Sequence, residues 1–135
     1  MNRKFRLFIS IALVLFAITP TFAQLPEKIM AAAAECGIKV SGIEPLEFEE
    51  RLEDLYADKY KLFIEQPIDH TNPSLGTFKQ KVILFHVDYI NPMLLITEGY
   101  TSNGEHPRYS NELSTLFETN MIEVEHRYLG ESVPF

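Results

Sequence analysis

Residues 122–135 read IEVEHRYLGESVPF, and this stretch decides the fold. Strand-like Ile122-Glu123-Val124-Glu125 runs into polar His126-Arg127-Tyr128, then into a Gly130-Glu131-Ser132 turn before Pro134-Phe135. That is the exit from a central strand of an α/β sheet, the place where such folds put their ligands. A domain does not normally stop there, so the stretch reads as the middle of a sheet whose later strands lie elsewhere.

Working backwards, residues 121–125 form a predicted strand. Residues 108–119 form a predicted helix, with Tyr109, Leu113, Leu116 and Phe117 on one face and Asn120 as its left-handed cap. Residues 92–98 (PMLLITE) are a continuous apolar run between Pro92 and Gly99, which suits a strand buried on both faces. Strand, helix and strand then make a right-handed parallel crossover. Residues 59–66 place Tyr60, Leu62 and Ile64 on one face, and residues 77–87 place Val82 and Leu84 opposite Ile83 and Phe85. These two strands predict an antiparallel pair, because the residues between them (PIDHTNPSLG) are dense in turn formers. Antiparallel strands followed by parallel crossovers are how an α/β-hydrolase sheet begins.

The N-terminal part is less regular. Residues 1–23 read as a cleaved signal peptide: Arg3, Lys4 and Arg6, an apolar run over 7–18, and Thr21-Phe22-Ala23 before Gln24. Its apolar run is shorter than the ~20 residues a bilayer span needs, so no membrane association is expected after cleavage. Residues 25–36 predict a helix, with Pro26 in the first turn and Gly37 as the stop. Gly37, Gly42 and Pro45 mark an irregular connection. Residues 46–58 form an acidic surface segment with helical spacing at Phe48, Leu52 and Leu55. The divisions are thus 1–23, 24–58 and 59–135.

The chain of 135 residues carries a net charge of −7, and removing the three basic residues of the signal takes it to −10. That balance excludes nucleic acid as a partner, since phosphates need neutralising by Lys and Arg. One cysteine forms no internal disulfide. The histidines lack metal-ligand spacing, and neither GxGxxG nor GKS/GKT occurs, so no cofactor or metal is expected.

Six short blocks occur in order: EQPIDH (65–70), GTFKQK (76–81), TEGY (97–100), Glu112-Leu113, Asn120-Met121-Ile122 and VEHRY (124–128). Together they resemble the secreted bacterial prolyl tri- and tetrapeptidyl aminopeptidases, serine exopeptidases with an α/β-hydrolase fold. The EHRY-x-x-ES-x-P block is also similar to the lysosomal prolyl carboxypeptidase and dipeptidyl-peptidase group. The resemblance covers residue 59 onward. It implies a peptide substrate with proline near its N-terminus. It also implies a nucleophile in a G-x-S-x-G elbow downstream of the EHRY block, with the acid and base later still. None of the three is in this sequence, so the chain is expected to be an inactive N-terminal fragment. The other readings are a non-catalytic remnant or binding module, or a lipase or esterase of the same fold.

Several residues carry alternative readings. The loop Gly99-Tyr100-Thr101 leaves the apolar strand where α/β-hydrolases take one backbone oxyanion donor. Tyr100 or Thr101 would be that donor, with Gly99 allowing close approach; the alternative is an ordinary strand exit. Glu125 either meets a peptide's free amino group at the rim or forms an internal ion pair with Arg127, and the second account is preferred because buried charges are normally paired. His126 and Arg127 read as structural support for the loop. Gly130-Glu131-Ser132-Val133-Pro134 mimics an elbow, but Ser132 is better read as a loop hydroxyl. Asp69-His70 reads as turn formation.

Overall fold

The computed structural model describes residues 25–97 and 99–134, so the expected signal peptide lies outside the described residues. The first element is helix α1 (Leu25–Glu35). It ends as the sequence predicts. Gly37 is left-handed (φ +70°), its N–H donates to Ala34 O (3.0 Å), and the Ile38 N–H donates to Ala33 O (2.8 Å). This is the two-bond stop that glycine makes possible after a helix.

Four strands and two short helices follow: β1 (Val40–Pro45), α2 (Glu50–Glu53), β2 (Asp58–Pro67), β3 (Thr77–His86), β4 (Met93–Thr97) and α3 (Glu112–Phe117). The last element is β5 (Asn120–Val124), and the five strands form one sheet in the order β1-β2-β3-β5-β4. Strands β1, β2, β3 and β5 pair antiparallel in turn, while β4 and β5 run parallel with Met93 beside Asn120 and Thr97 beside Val124. The fold is therefore a mixed α/β sheet. The β2–β3 hairpin bears out the expected antiparallel pair, in register from Asp58↔His86 to Pro67↔Thr77.

Strand alternation divides the core in two. Leu62, Val82 and Leu84 cluster on one face, where Leu25 and Ile29 of α1 pack on them. Ile83, Phe85 and Met121 point the other way and join Leu52 and Tyr56 from the segment after β1. Tyr56 stacks at a tilt on Phe85 (ring centroids 5.0 Å) and donates to Ser114 Oγ (2.9 Å), which fastens α3 to this layer. Each of these buried side chains contributes roughly 1.5–3 kcal/mol by leaving water.

The structure corrects five expectations. Residues 40–45 are not an irregular connection but an edge strand of the same sheet. Gly42 and Pro45 were misleading there, because the register slips between Val40 and Gly42 in a bulge and an edge tolerates proline. Residues 46–58 hold a single helical turn, α2, and Leu52 and Tyr56 reach the core from it and the turn that follows. Strand β4 is not buried on both faces. It lies at the sheet's edge, where Leu94 and Ile96 face the core while Met93 and Leu95 are exposed. The predicted helix over 108–119 shrinks to α3. Asn111 caps it through bonds from the Leu113 and Ser114 N–H groups, and Tyr109 turns inward onto Phe85. Leu113, Leu116 and Phe117 are exposed, and Ser114 is the residue that α3 buries. Finally, Glu118 and not Asn120 takes the left-handed cap (φ 50°, ψ 46°). Asn120 opens β5 instead.

Candidate active site

Because β4 and β5 are parallel, the loops that leave them emerge at one end of the sheet. The first loop spans residues 99–107 and the second 125–134. Gly99, Tyr100 and Thr101 lie on the first, all exposed, Tyr100 to 92 %. A Cβ placed on Gly99 meets nothing within 4 Å, so no part of the described chain presses on it. The neighbouring Glu98 lies outside the described residues.

Beneath these loops the sheet carries buried charge. Glu123 is fully buried. Its Oε1 accepts from Ser102 Oγ (2.5 Å) and from the Gly104 N–H (2.9 Å), while its Oε2 has no hydrogen-bond donor among the described residues. Lys59 of β2 lies on the same face of the sheet, its ammonium 4.8 Å from the centre of the Phe85 ring and donating to His106 O (3.1 Å). Burial pushes the Lys59 amine down to about 8, only partly offset by the charges of Glu123 and Glu105.

Glu125 is almost as buried. Its Oε2 accepts from the N–H groups of Glu131 (2.9 Å) and Ser132 (3.0 Å) and from Ser132 Oγ (2.8 Å). Its Oε1 lies 2.8 Å from Lys81 Nζ. Lys81 also bonds Glu105 (2.6 Å) and approaches Glu131 (3.4 Å), so one ammonium ties the first loop to the second. Burial works against the charge on Lys81, but its bonds to Glu105 and Glu125 outweigh it and hold the amine well above the ordinary lysine value. Against the effect of burial, Lys81 and, from β2, Lys61 hold the Glu105 carboxyl below its ordinary value.

The sequence-predicted residues thus separate. Glu125 does sit in an internal ion pair, but with Lys81 rather than Arg127. Arg127 turns away, donates to Ile68 O (2.6 Å) and Pro67 O (3.0 Å), and lies over the Phe78 ring (4.5 Å). It holds the second loop against the β2–β3 connection, where Arg127 Nη2 lies 3.4 Å from His70 Nε2. His126 is exposed, its Nδ1 2.8 Å from Arg127 O. The Glu125 carboxylate is buried and already engaged by four groups, two backbone N–H groups, one hydroxyl and one ammonium. Ser132 is fully buried as well; its hydroxyl donates to Glu125 and accepts from the Lys81 N–H (2.9 Å). A hydroxyl so placed is a loop tie and not an exposed nucleophile. Sequence reasoning passed over Lys59, Lys81, Glu105 and Glu123. The available signal was opposite charges at alternate positions of otherwise apolar strands.

Lys59 gives a pH prediction. A lysine whose folded value lies near 8 binds fewer protons when folded than when unfolded between pH 8 and its ordinary 10.5. Stability therefore rises with pH in that window. We expect a gain of about 1–2 kcal/mol between pH 8 and 9.5, measured by urea midpoints. Above pH 10 the raised values of Lys81 and Tyr56 reverse the slope. Lys59→Met should remove the rise; a flat profile in the unsubstituted chain would disprove the account.

Among the described residues no helix is long and apolar enough to cross a membrane, and no group of His, Cys, Asp or Glu has the arrangement to hold a metal ion.

The family model described as PS-10 peptidase S37 matches residues 35–135, and the chain belongs to that family. Among curated proteins it is similar to the prolyl tri/tetrapeptidyl aminopeptidase of Streptomyces mobaraensis, 35 % identical over 69 residues, which are 51 % of this chain and 14 % of the relative. It is also similar to the serine protease vicPb of Bipolaris victoriae, 37 % identical in a match of 86 positions that covers 52 % of this chain and 15 % of the relative. The chain thus spans about one seventh of the length of these relatives.

Proposed function

We propose that these residues are the N-terminal part of a secreted, proline-specific serine exopeptidase of the α/β-hydrolase fold, an aminopeptidase releasing short peptides that end in proline. The observation that carries this reading is the family match over residues 35–135. The sheet supports it: an antiparallel hairpin precedes a parallel pair, and β5 inserts between β3 and β4. In this reading Tyr100 or Thr101 offers a backbone N–H to the oxyanion that forms when a serine attacks the peptide carbonyl. One such donor lowers the barrier by ~3 kcal/mol. The serine, its histidine and its acid belong to sequence outside these 135 residues. Export through the segment 1–23 places the enzyme in the periplasm or medium.

The test uses a chromogenic peptide with proline before the scissile bond. The 135-residue chain should give no turnover above background, while the product of the gene read through to its own stop codon should cleave it and lose activity to a serine-directed inhibitor. Inhibitor-sensitive cleavage by the 135-residue chain would refute the missing nucleophile. A stop codon directly after Phe135, or a longer product inert on such peptides, would favour the non-catalytic reading.

A further inference from the structure

The two buried glutamates of the β5 end are built alike. Strand geometry puts Glu123 and Glu125 on one face, about 7 Å apart. Each accepts from one serine hydroxyl and from backbone N–H groups of a single loop, Ser102 and Gly104 for Glu123, Ser132 and its neighbour Glu131 for Glu125. Each has a glycine pressed against its carboxylate. A Cβ on Gly104 would come within 3.0 Å of Glu123 Oε2, and one on Gly130, which is left-handed, would overlap Glu125 Oε1. A buried lysine of the hairpin accompanies each, Lys59 and Lys81.

We propose that Glu123 and Glu125 are positioning residues that divide the rim between them, Glu123 seating residues 99–107 and Glu125 seating residues 126–134. Glu123 is fully buried and Glu125 nearly so, so each acts through the backbone of the loop it fixes. The division follows from the bonding, since no hydrogen bond to either carboxylate crosses to the other loop. The two anchors also differ in strength. Both oxygens of Glu125 are engaged, whereas Glu123 Oε2 has no donor among the described residues. The first loop is therefore the more easily released. In the peptidase reading, on which this part rests, that is the loop carrying the proposed oxyanion donor, so Glu123 governs turnover more than affinity.

Hydrogen exchange resolved by residue tests the division in the 135-residue chain. In the unsubstituted chain the Gly104 amide should exchange at least tenfold faster than those of Glu131 and Ser132. Glu123→Ala should speed Gly104 a further tenfold and leave Glu131 and Ser132 unchanged; Glu125→Ala should do the reverse. Should an alanine variant fail to fold, Glu123→Gln and Glu125→Gln keep one acceptor oxygen and should show the same pattern in weaker form. Equal loosening of both loops by either change, or of neither, would overturn the proposal. The kinetic arm uses the full gene product and a prolyl peptide. There Glu123→Ala should lower kcat at least tenfold with KM within about twofold, and Glu123→Gln should recover most of the loss. If the unsubstituted product cleaves and Glu123→Ala leaves kcat unchanged, the positioning role fails. If the unsubstituted product does not cleave, the peptidase reading fails, while the exchange pattern still decides the anchoring.

Discussion

Lys81→Met should cost about 3–5 kcal/mol of folding stability, the range for stripping one partner from a buried ion pair. Lys81 faces Glu125 at 2.8 Å and Glu105 at 2.6 Å, with Glu131 at 3.4 Å. Methionine matches much of the lysine stem but leaves the Glu125 carboxylate buried with no cation against it. Lys61 can still serve Glu105 (3.6 Å) and Glu131 (3.8 Å), so the damage concentrates on Glu125. A single domain is stable by only about 5–15 kcal/mol, and the substitution therefore removes a large share of the total. The double change Lys81→Met with Glu125→Leu should recover part of the loss, because apolar replacement of a whole ion pair is often nearly neutral. Recovery stays incomplete here: the N–H groups of Glu131 and Ser132 would then face leucine and lose their acceptor. Urea midpoints of the two variants and of Glu125→Leu close the cycle. A loss below about 1 kcal/mol for Lys81→Met would show that the cluster is too well solvated to behave as a buried pair.

That cluster also shows what a single sequence can convey. The apolar half of the sheet was legible. Tyr60, Leu62 and Ile64, and the opposed pairs Val82/Leu84 and Ile83/Phe85, follow a period of two, and they pack as two clusters on opposite faces. The stop at Gly37 was legible too, because a positive φ is a local demand that few residues other than glycine meet. The charged half was not. Lys59, Lys61 and Lys81 interrupt strands at positions that read as solvent-facing, as do Glu123 and Glu125. Only the assembled sheet shows that Lys61 and Lys81 find carboxylates and that Lys59 finds the His106 carbonyl, and that pairing is a tertiary fact. The position of Arg127 escaped for the same reason, since its carbonyl acceptors lie 59 and 60 residues away.

Misplaced expectations on β4 and α3 have a different cause. Apolarity was read correctly, but the elements that cover it were not. Leu95 and Leu116 remain exposed to 62 % and 72 %. A continuous apolar run says that a strand is meant for burial on both faces; it does not say which residues do the burying. β1 failed the opposite way. Gly42 and Pro45 weaken a strand's sequence signal, yet an edge strand with a bulge accommodates both.

Asn120→Ala should be the next most damaging change, at about 2–4 kcal/mol, from five hydrogen bonds each contributing roughly 1 kcal/mol net and less where water can substitute. The Asn120 amide sits under the turn between β3 and β4. Its oxygen accepts from the N–H groups of Val87 (2.8 Å) and Asp88 (3.3 Å) and lies 3.0 Å from His86 Nδ1. Its nitrogen donates to Asp88 O (2.7 Å) and Asn91 O (2.8 Å). As a hydrogen bond, the His86 contact requires the ring to donate from Nδ1, because the amide oxygen can only accept. Alanine orphans this whole set, part of it buried. Asn120→Asp keeps the acceptor but offers no donor to the two carbonyls, and should fall between the two. The loss should also be local. β4 is an edge strand held in the sheet by β5 alone, in register from Met93↔Asn120 to Thr97↔Val124. Freeing the turn therefore loosens β4 first, and with it the loop that carries Tyr100 and Thr101. Limited proteolysis should cut within residues 88–92 well before global unfolding. A variant that melts within about 0.5 kcal/mol of the unsubstituted chain, with this turn still protected, would mean that backbone pairing alone holds β4 in place.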